Sequence, residues 1–273
     1  MQKEKLELEN PYMPRKHNVI DFNRETSDVF TIKVNMKCHH EPGQFVQVSI
    51  PGVGECPISI CSYSKDYISL NIREVGRMTK ALSNLKKGES VLIRGPYGKG
   101  YPLDELKGKD LVIIGGGCGV APLRGVIEYI ESNRKDFGKV FMFLGYGSPD
   151  DILFRKDLQK WKRKHSVSVT VDKNISGKFC YGAKVGFVTQ AIDDAKLTPM
   201  NKIVLICGPP IMLRVAIDIL KSRGFNDSQI FISAERLMYC AIGACCHCMI
   251  RGKYTCVDGP VFRYDQISQY QND

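Results

Sequence analysis

The opening residues, Met1-Gln-Lys-Glu-Lys-Leu-Glu-Leu-Glu-Asn10, lack the apolar core of a secretory signal. Nor does any stretch approach the roughly 18 apolar residues that a membrane span needs. Both absences argue for a reducing cytoplasm, where the clustered ones among eleven cysteines read as metal ligands rather than disulfides. Acidic residues are also short, with 29 Asp and Glu against 39 Lys and Arg, a formal charge of +10. Such a balance invites nucleic acid or an acidic partner, but the basic residues are scattered. Their one local run, Lys160-Trp-Lys-Arg-Lys164, reads as a solvated helix face, so no nucleic-acid function is expected.

What is present is a chain of 273 residues, long enough for two domains with their own cores and a small appendage. Residues 1–105 carry short alternating segments, Val29–Val34, Gln44–Ile50 and Tyr67–Arg73, punctuated by Gly and Pro. That is the pattern of a small antiparallel β barrel. At Gly76-Arg-Met-Thr-Lys-Ala-Leu82 a strand gives way to a helix, whose free N–H groups suit a pyrophosphate. A turn glycine and a capping Thr79 are the plainer reading of the same residues.

Residues 106–228 repeat strand and helix, the mark of an α/β domain with a parallel sheet. The buried run Lys109–Ile114 enters Gly115-Gly-Gly-Cys-Gly-Val-Ala-Pro122, in which glycines allow close approach to a phosphate and Pro122 suits a first helical turn. The exact Gly-x-Gly-x-x-Gly fingerprint is missing, so the repeated strand–helix units carry the nucleotide-binding reading. The last of four strand candidates ends in Cys207-Gly-Pro-Pro-Ile-Met212.

Residues 229–273 hold five cysteines within a short span. Cys240-x4-Cys245-x2-Cys248-x7-Cys256 supplies four thiolates, and Cys-x4-Cys-x2-Cys is the loop spacing of plant-type [2Fe-2S] ferredoxins. Ala241, Gly243 and Ala244 let the backbone wrap closely, and Cys246 is the spare. Tetrahedral zinc is the alternative, although zinc sites usually pair two short knuckles and only one is present.

In this order the motifs resemble the ferredoxin–NADP reductase superfamily over nearly the whole chain. They are most similar to its subgroup with a C-terminal [2Fe-2S] loop: electron-transfer subunits of dihydroorotate dehydrogenase, gamma subunits of sulfhydrogenases and the corresponding subunits of anaerobic sulfite reductases. Asn10-Pro-Tyr-Met-Pro14, the short gap before Cys256 and Asp258-Gly-Pro-Val-Phe262 look most like the last two, with the sulfite reductase subunit favoured. The resemblance implies an FAD-binding barrel, an NAD-binding domain and an iron–sulfur lobe. It places Pro57, Ile58 and Ser59 along the isoalloxazine, Ser59 near the hydride-accepting nitrogen, and Arg73, Gly76, Met78 and Thr79 at the FAD pyrophosphate. Gly116, Gly117, Gly119, Val120, Ala121 and Pro122 would meet the nucleotide phosphates. Cys207, Gly208, Pro209 and Met212 would border the nicotinamide, with Cys207 beside the hydride-transfer site.

The superfamily's Arg-x-Tyr-Ser flavin motif is replaced by Cys56-Pro-Ile-Ser59, which makes Arg73 the candidate for the missing charge. Acidic residues Asp150, Asp151 and Asp172 favour NADH over NADPH. The expected role is a diaphorase subunit, passing electrons from NADH through FAD and a [2Fe-2S] cluster to other subunits of a redox complex, an iron–sulfur electron-transfer subunit and through it a sulfite-reducing subunit. Glu235 reads equally as a carboxylate near the flavin or as a surface one. The alternatives are the same role in a sulfhydrogenase or dihydroorotate dehydrogenase complex, or a zinc-stabilised nucleotide-binding module without redox chemistry.

Overall fold

A computed structural model describes residues 10–174, 177 and 181–268. Its first half is an antiparallel sheet of β1 (Arg15–Arg24), β2 (Val29–Val34), β3 (Phe45–Ile50), β4 (Gly54–Ser59), β5 (Ile68–Arg73) and β6 (Ser90–Tyr97), in the order β4-β3-β6-β1-β2-β5. Alternation decides its inside: Phe30, Ile32 and Val34 of β2 are fully buried, while Thr31 and Lys33 between them are not. A bridge between Ile60 and Leu70 joins the continuation of β4 to β5 and curls the sheet toward a barrel. Helix α1 (Arg77–Ser83) packs on β3 and β4 and buries Leu82. Two strands have no counterpart in the sequence reading. β1 is mostly polar and exposed, and β6 carries an internal Gly-Pro, so neither shows clean alternation. Gly54–Ser59, between two of the alternating segments, is a further strand paired along its length with β3.

After the short α2 (Leu103–Leu106) comes a seven-stranded sheet. It is built from β7 (Asp110–Gly116), β8 (Val140–Tyr146), β9 (Ser166–Val171), β10 (Lys184–Val185), β11 (Lys202–Cys207) and β12 (Ile230–Ser233), all parallel, with β15 (Val261–Arg263) antiparallel at the edge. Helices α3 (Val120–Ser132) and α4 (Arg155–Lys164) cover one face, packing on Leu111, Ile113, Met142 and Leu144. Helices α5 (Val188–Asp194) and α6 (Pro210–Ser222) cover the other, over Val112, Ile114 and Phe143. Burial on both faces explains why these strands read as continuous apolar runs. In α4 only Leu158 and Trp161 are buried, which leaves Lys160, Arg163 and Lys164 to solvent.

The cysteine loop, with its small hairpin β13 (Met249–Ile250) and β14 (Lys253–Tyr254), leaves this sheet after β12 and returns as β15. Both flanking strands lie beyond residue 228, where the sequence reading starts a separate lobe, yet both hydrogen-bond into the nucleotide sheet. Among the described residues no helix is long and apolar enough to cross a membrane.

Candidate active site and iron–sulfur centre

Strand order reverses beside β7: β8 lies on one side of it and β11 on the other. In open α/β sheets ligands occupy the crevice at that point, outside the carboxyl ends of the strands. Here a cavity of about 500 Å³ opens there, lined by Gly116, Gly117, Gly145, Tyr146, Gly147, Asp172, Phe187–Thr189, Pro209, Ile211, Met212 and Val215. Of the residues expected to meet the nucleotide, Gly116, Gly117, Pro209 and Met212 face this cavity.

The glycines do different work. A Cβ on Gly119 would stand 2.5 Å from the carbonyl oxygen of Cys207, and one on Gly116 would meet Pro209 and the Met212 sulfur. A Cβ on Gly208, at φ +157°, would stand 3.0 Å from the backbone nitrogen of Gly116. Backbone therefore packs on backbone where the two loops meet. Of the glycines at 116, 117, 119 and 208, only Gly117, at φ +53°, has open space where a side chain would be. The side chains of Val120, Ala121 and Pro122 are buried in the core, so any contact of this turn with a phosphate is made by its backbone. Asp172, at the end of β9, lines the same cavity, and burial raises its carboxyl pKa.

Cys207 is 1% exposed. Burial, reinforced by the charge of Glu235, pushes its thiol up to about 12, so it stays protonated. A thiol in that state packs and orients; it does not attack. Glu235 keeps solvent exposure, while desolvation by its neighbours raises its own carboxyl. The charge of Glu235 also contributes to raising the Cys118 thiol.

On the barrel side, Pro57, Ile58 and Ser59 form the half-buried end of β4, with Ser59 directly opposite Phe45 on β3. The Thr79 hydroxyl accepts the N–H groups of Val75 and Gly76 and donates to the carbonyl of Gly76. It shapes the turn into α1, the capping role that the sequence left open. Met78 packs against the barrel core. Arg73 donates from Nε to Asp28 at 2.7 Å and holds that carboxylate below its usual range, while its own side chain stays 60% exposed. It shares a cleft of about 190 Å³ with Gly117, Cys118, Gly147 and Asp151, so the barrel arginine faces the glycine run.

Helix α3 ties the two sheets together. Arg124 donates to the carbonyl of Cys61 at 2.6 Å, just beyond β4, and pairs with Glu128 and Asp157. Glu128 in turn accepts the N–H of Tyr63 at 2.7 Å. These contacts fix the Pro57–Ser59 strand relative to the nucleotide crevice. Sequence reasoning missed them because they join positions far apart in the chain. It also missed Gly145 and Phe187–Thr189, although a Gly-Tyr-Gly closing a parallel strand is a visible cue for the same edge.

The cysteine loop presents two thiol pairs. Sγ of Cys248 and Sγ of Cys256 lie 3.3 Å apart, and the Cys245 thiol is within hydrogen-bonding reach of Cys240. The N–H groups of Ala244 and Cys245 point at Sγ of Cys240, and that of Gly243 points at Sγ of Cys256. Ala241, Gly243 and Cys246 all take positive φ, which lets the loop turn its amides inward. The N–H of His247 heads the contacts that lower the Cys245 thiol to about 7. Among the described residues no three Cys, His, Asp or Glu side chains converge on one point as a single metal ion requires. Two pairs wrapped by inward amides suit a two-iron cluster, one pair per iron, better than one tetrahedral zinc. The ten described cysteines are free thiols.

Cys248 and Cys256 share a small core with Phe45 and Met238, flanked by Tyr97 and Tyr254. Phe45 is therefore common to the Ser59 strand and the cysteine loop.

Residues 113–218 match the oxidoreductase NAD-binding domain, and residues 235–268 match the iron–sulfur cluster binding domain of dihydroorotate dehydrogenase B. The chain is 40% identical to the sulfhydrogenase 1 gamma subunit of Pyrococcus furiosus, covering 95% of this chain and 94% of that one. It is 34% identical to a probable dihydroorotate dehydrogenase B electron-transfer subunit of Archaeoglobus fulgidus, covering 91% and 97%. In fold it is similar to a solved NADH-dependent reduced ferredoxin–NADP oxidoreductase, with a TM-score of 0.76 at 23% identity over 93% of this chain and 94% of that one. Domain content suits a nicotinamide dinucleotide and an iron–sulfur cluster, as in a pyridine-nucleotide-dependent oxidoreductase. The chain belongs to the family of electron-transfer subunits of multi-subunit redox complexes that includes the sulfhydrogenase gamma and dihydroorotate dehydrogenase B electron-transfer subunits.

Proposed function

We propose that this subunit takes electrons from NADH and delivers them, through FAD and a [2Fe-2S] cluster, to a partner subunit in the cytoplasm. The observation that carries the reading is the shared Phe45 core, which sets the candidate flavin strand against two of the four cluster cysteines. Bound between them, a flavin would accept hydride from the nicotinamide and release electrons one at a time to the cluster.

The chain's own residues do the rest. Gly116 and Gly117 leave room for the dinucleotide phosphates, and Asp172 accepts from an adenosine ribose hydroxyl. Pro209 and Met212 bound the nicotinamide end of the crevice, which the protonated Cys207 supports from beneath. Pro57, Ile58 and Ser59 bear on the flavin ring, while Arg73 and the amides of Arg77 and Met78 meet its phosphates. Cys240, Cys245, Cys248 and Cys256 hold the cluster. We divide the chain accordingly into a barrel up to residue 105, a nucleotide domain, and an iron–sulfur lobe that excludes β12 and β15 and so spans only 234–260.

The partner is best sought among sulfhydrogenase-type subunits, given the 40% identity to a gamma subunit, with a dihydroorotate dehydrogenase next. A sulfite reductase partner, favoured by the end motifs, is the third candidate. An anaerobic visible spectrum before and after NADH, with iron, zinc and flavin quantified, tests the electron path. Flavin and iron that bleach on NADH addition support it, and a zinc protein that no reconstitution converts would sink it. Co-purified subunits, assayed with protons or sulfur, dihydroorotate and sulfite, then identify the acceptor.

A further inference from the structure

Arg94, on β6, is 6% exposed and lies beneath the cysteine loop. A guanidinium has five N–H donors, and every nitrogen here is engaged. Nε donates to Glu55 Oε2 at 2.9 Å, and Nη2 donates to Glu55 Oε1 and to the carbonyl of Tyr239 at 3.0 Å. Nη1 donates to the carbonyl of Cys240 at 2.7 Å and to the Tyr97 hydroxyl at 3.4 Å. Tyr12 lies over the same guanidinium. Glu55 also accepts from the hydroxyl of Ser49 at 2.7 Å.

The partners lie on two sides of the proposed electron path. Glu55 is on β4, two residues before Pro57. Arg94 and Pro57 are both cross-strand neighbours of Gln47, one on each side of β3, so they stand about two strand spacings apart, roughly 10 Å. Tyr239 and Cys240 are the residues on which the cysteine loop begins.

We propose that Arg94 is a positioning residue for electron transfer: with Glu55 it locks the first cysteine of the cluster loop to the flavin strand, and the pair sets the charge next to the cluster. The inference rests on the electron-path reading above. Charge close to an iron–sulfur cluster moves its reduction potential, because the reduced form is the more negative one. Arg94 and Glu55 together are neutral, so removing either leaves a charge of known sign. Arg94→Gln leaves the carboxylate and lowers the potential, whereas Glu55→Gln leaves the guanidinium and raises it. Arg94→Lys keeps the charge but not the forked geometry, so it holds the potential near wild type while loosening the loop.

The test measures the cluster midpoint potential of the full-length flavin- and iron-loaded chain by spectroelectrochemistry with EPR detection, for wild type and these three variants. Backbone hydrogen exchange across residues 237–248 is followed in parallel on the full chain after iron removal. Shifts of opposite sign for Arg94→Gln and Glu55→Gln, with faster exchange in both Arg94 variants, are expected. Shifts of the same sign, unmoved potentials, or unchanged exchange would overturn the inference. Should Arg94→Gln fail to load iron, Glu55→Gln and Arg94→Lys still decide it. If the wild-type chain takes up neither iron nor flavin, the electron-path reading fails, and unchanged exchange alone then overturns the anchor.

Discussion

The nucleotide crevice and the cysteine loop are shaped by opposite means. At the crevice the decisive feature is missing side chains: Gly116, Gly119 and Gly208 let two strand ends touch backbone to backbone. At the loop it is a set of side chains, four thiols and one buried guanidinium, that arrest a backbone in unusual conformations. Adding atoms should therefore damage the first region, and removing them the second.

The sharpest test of that contrast is Cys256→Ala. Loss of one thiolate should abolish cluster assembly and electron delivery to the partner, yet leave NADH-driven reduction of a flavin-accepting dye, measured with iron content on the same sample. Next comes Gly119→Ala, whose new methyl would stand 2.5 Å from the Cys207 carbonyl. Overpacking of this kind costs about 1–3 kcal/mol, so NADH affinity should fall roughly tenfold or more in a fluorescence titration. Iron content should not change. Asp172→Ala should weaken NADH about tenfold, the equivalent of one hydrogen bond to a charged group, and narrow its advantage over NADPH in steady-state kinetics. Gly117→Ala adds a methyl to open space: its left-handed backbone costs about 1–2 kcal/mol by denaturant titration, and the methyl also takes room left for the dinucleotide phosphates. The smallest effect belongs to Cys246→Ser, which should keep full iron and change stability by less than about 0.5 kcal/mol. Iron loss in that variant would mean the spare and a ligand have been misassigned.

How much the sequence disclosed follows the range over which each feature acts. Cys240, Cys245 and Cys248 announce themselves because a ligand loop is local and its spacing is imposed by the metal. The strands of the parallel sheet were visible because burial on both faces writes an uninterrupted apolar run, as in Leu111–Ile114. β1 and β6 were not, since their order comes from pairing across the sheet rather than from alternation within them. Glycines around 116 were legible as a cluster but not in their division of labour: that only Gly117 is open depends on where Cys207 and Met212 pack. The Arg94 and Arg124 contacts left no trace, for each spans residues that only the fold brings together. Thr79 shows the reverse case, in which both readings were available and its three backbone contacts select the cap.

The return of the chain through β15 has a consequence for the history and the engineering of this protein. The N–H of Ala234 donates to the carbonyl of Pro260 at 2.9 Å, so everything between them leaves and re-enters the sheet at a single doorway. A segment with adjoining feet can be cut out or exchanged without stretching its host. The iron–sulfur loop is in this sense a cartridge: a short turn in its place should leave a reductase that still oxidises NADH, and a foreign cartridge with the same feet could readdress its electrons to another acceptor.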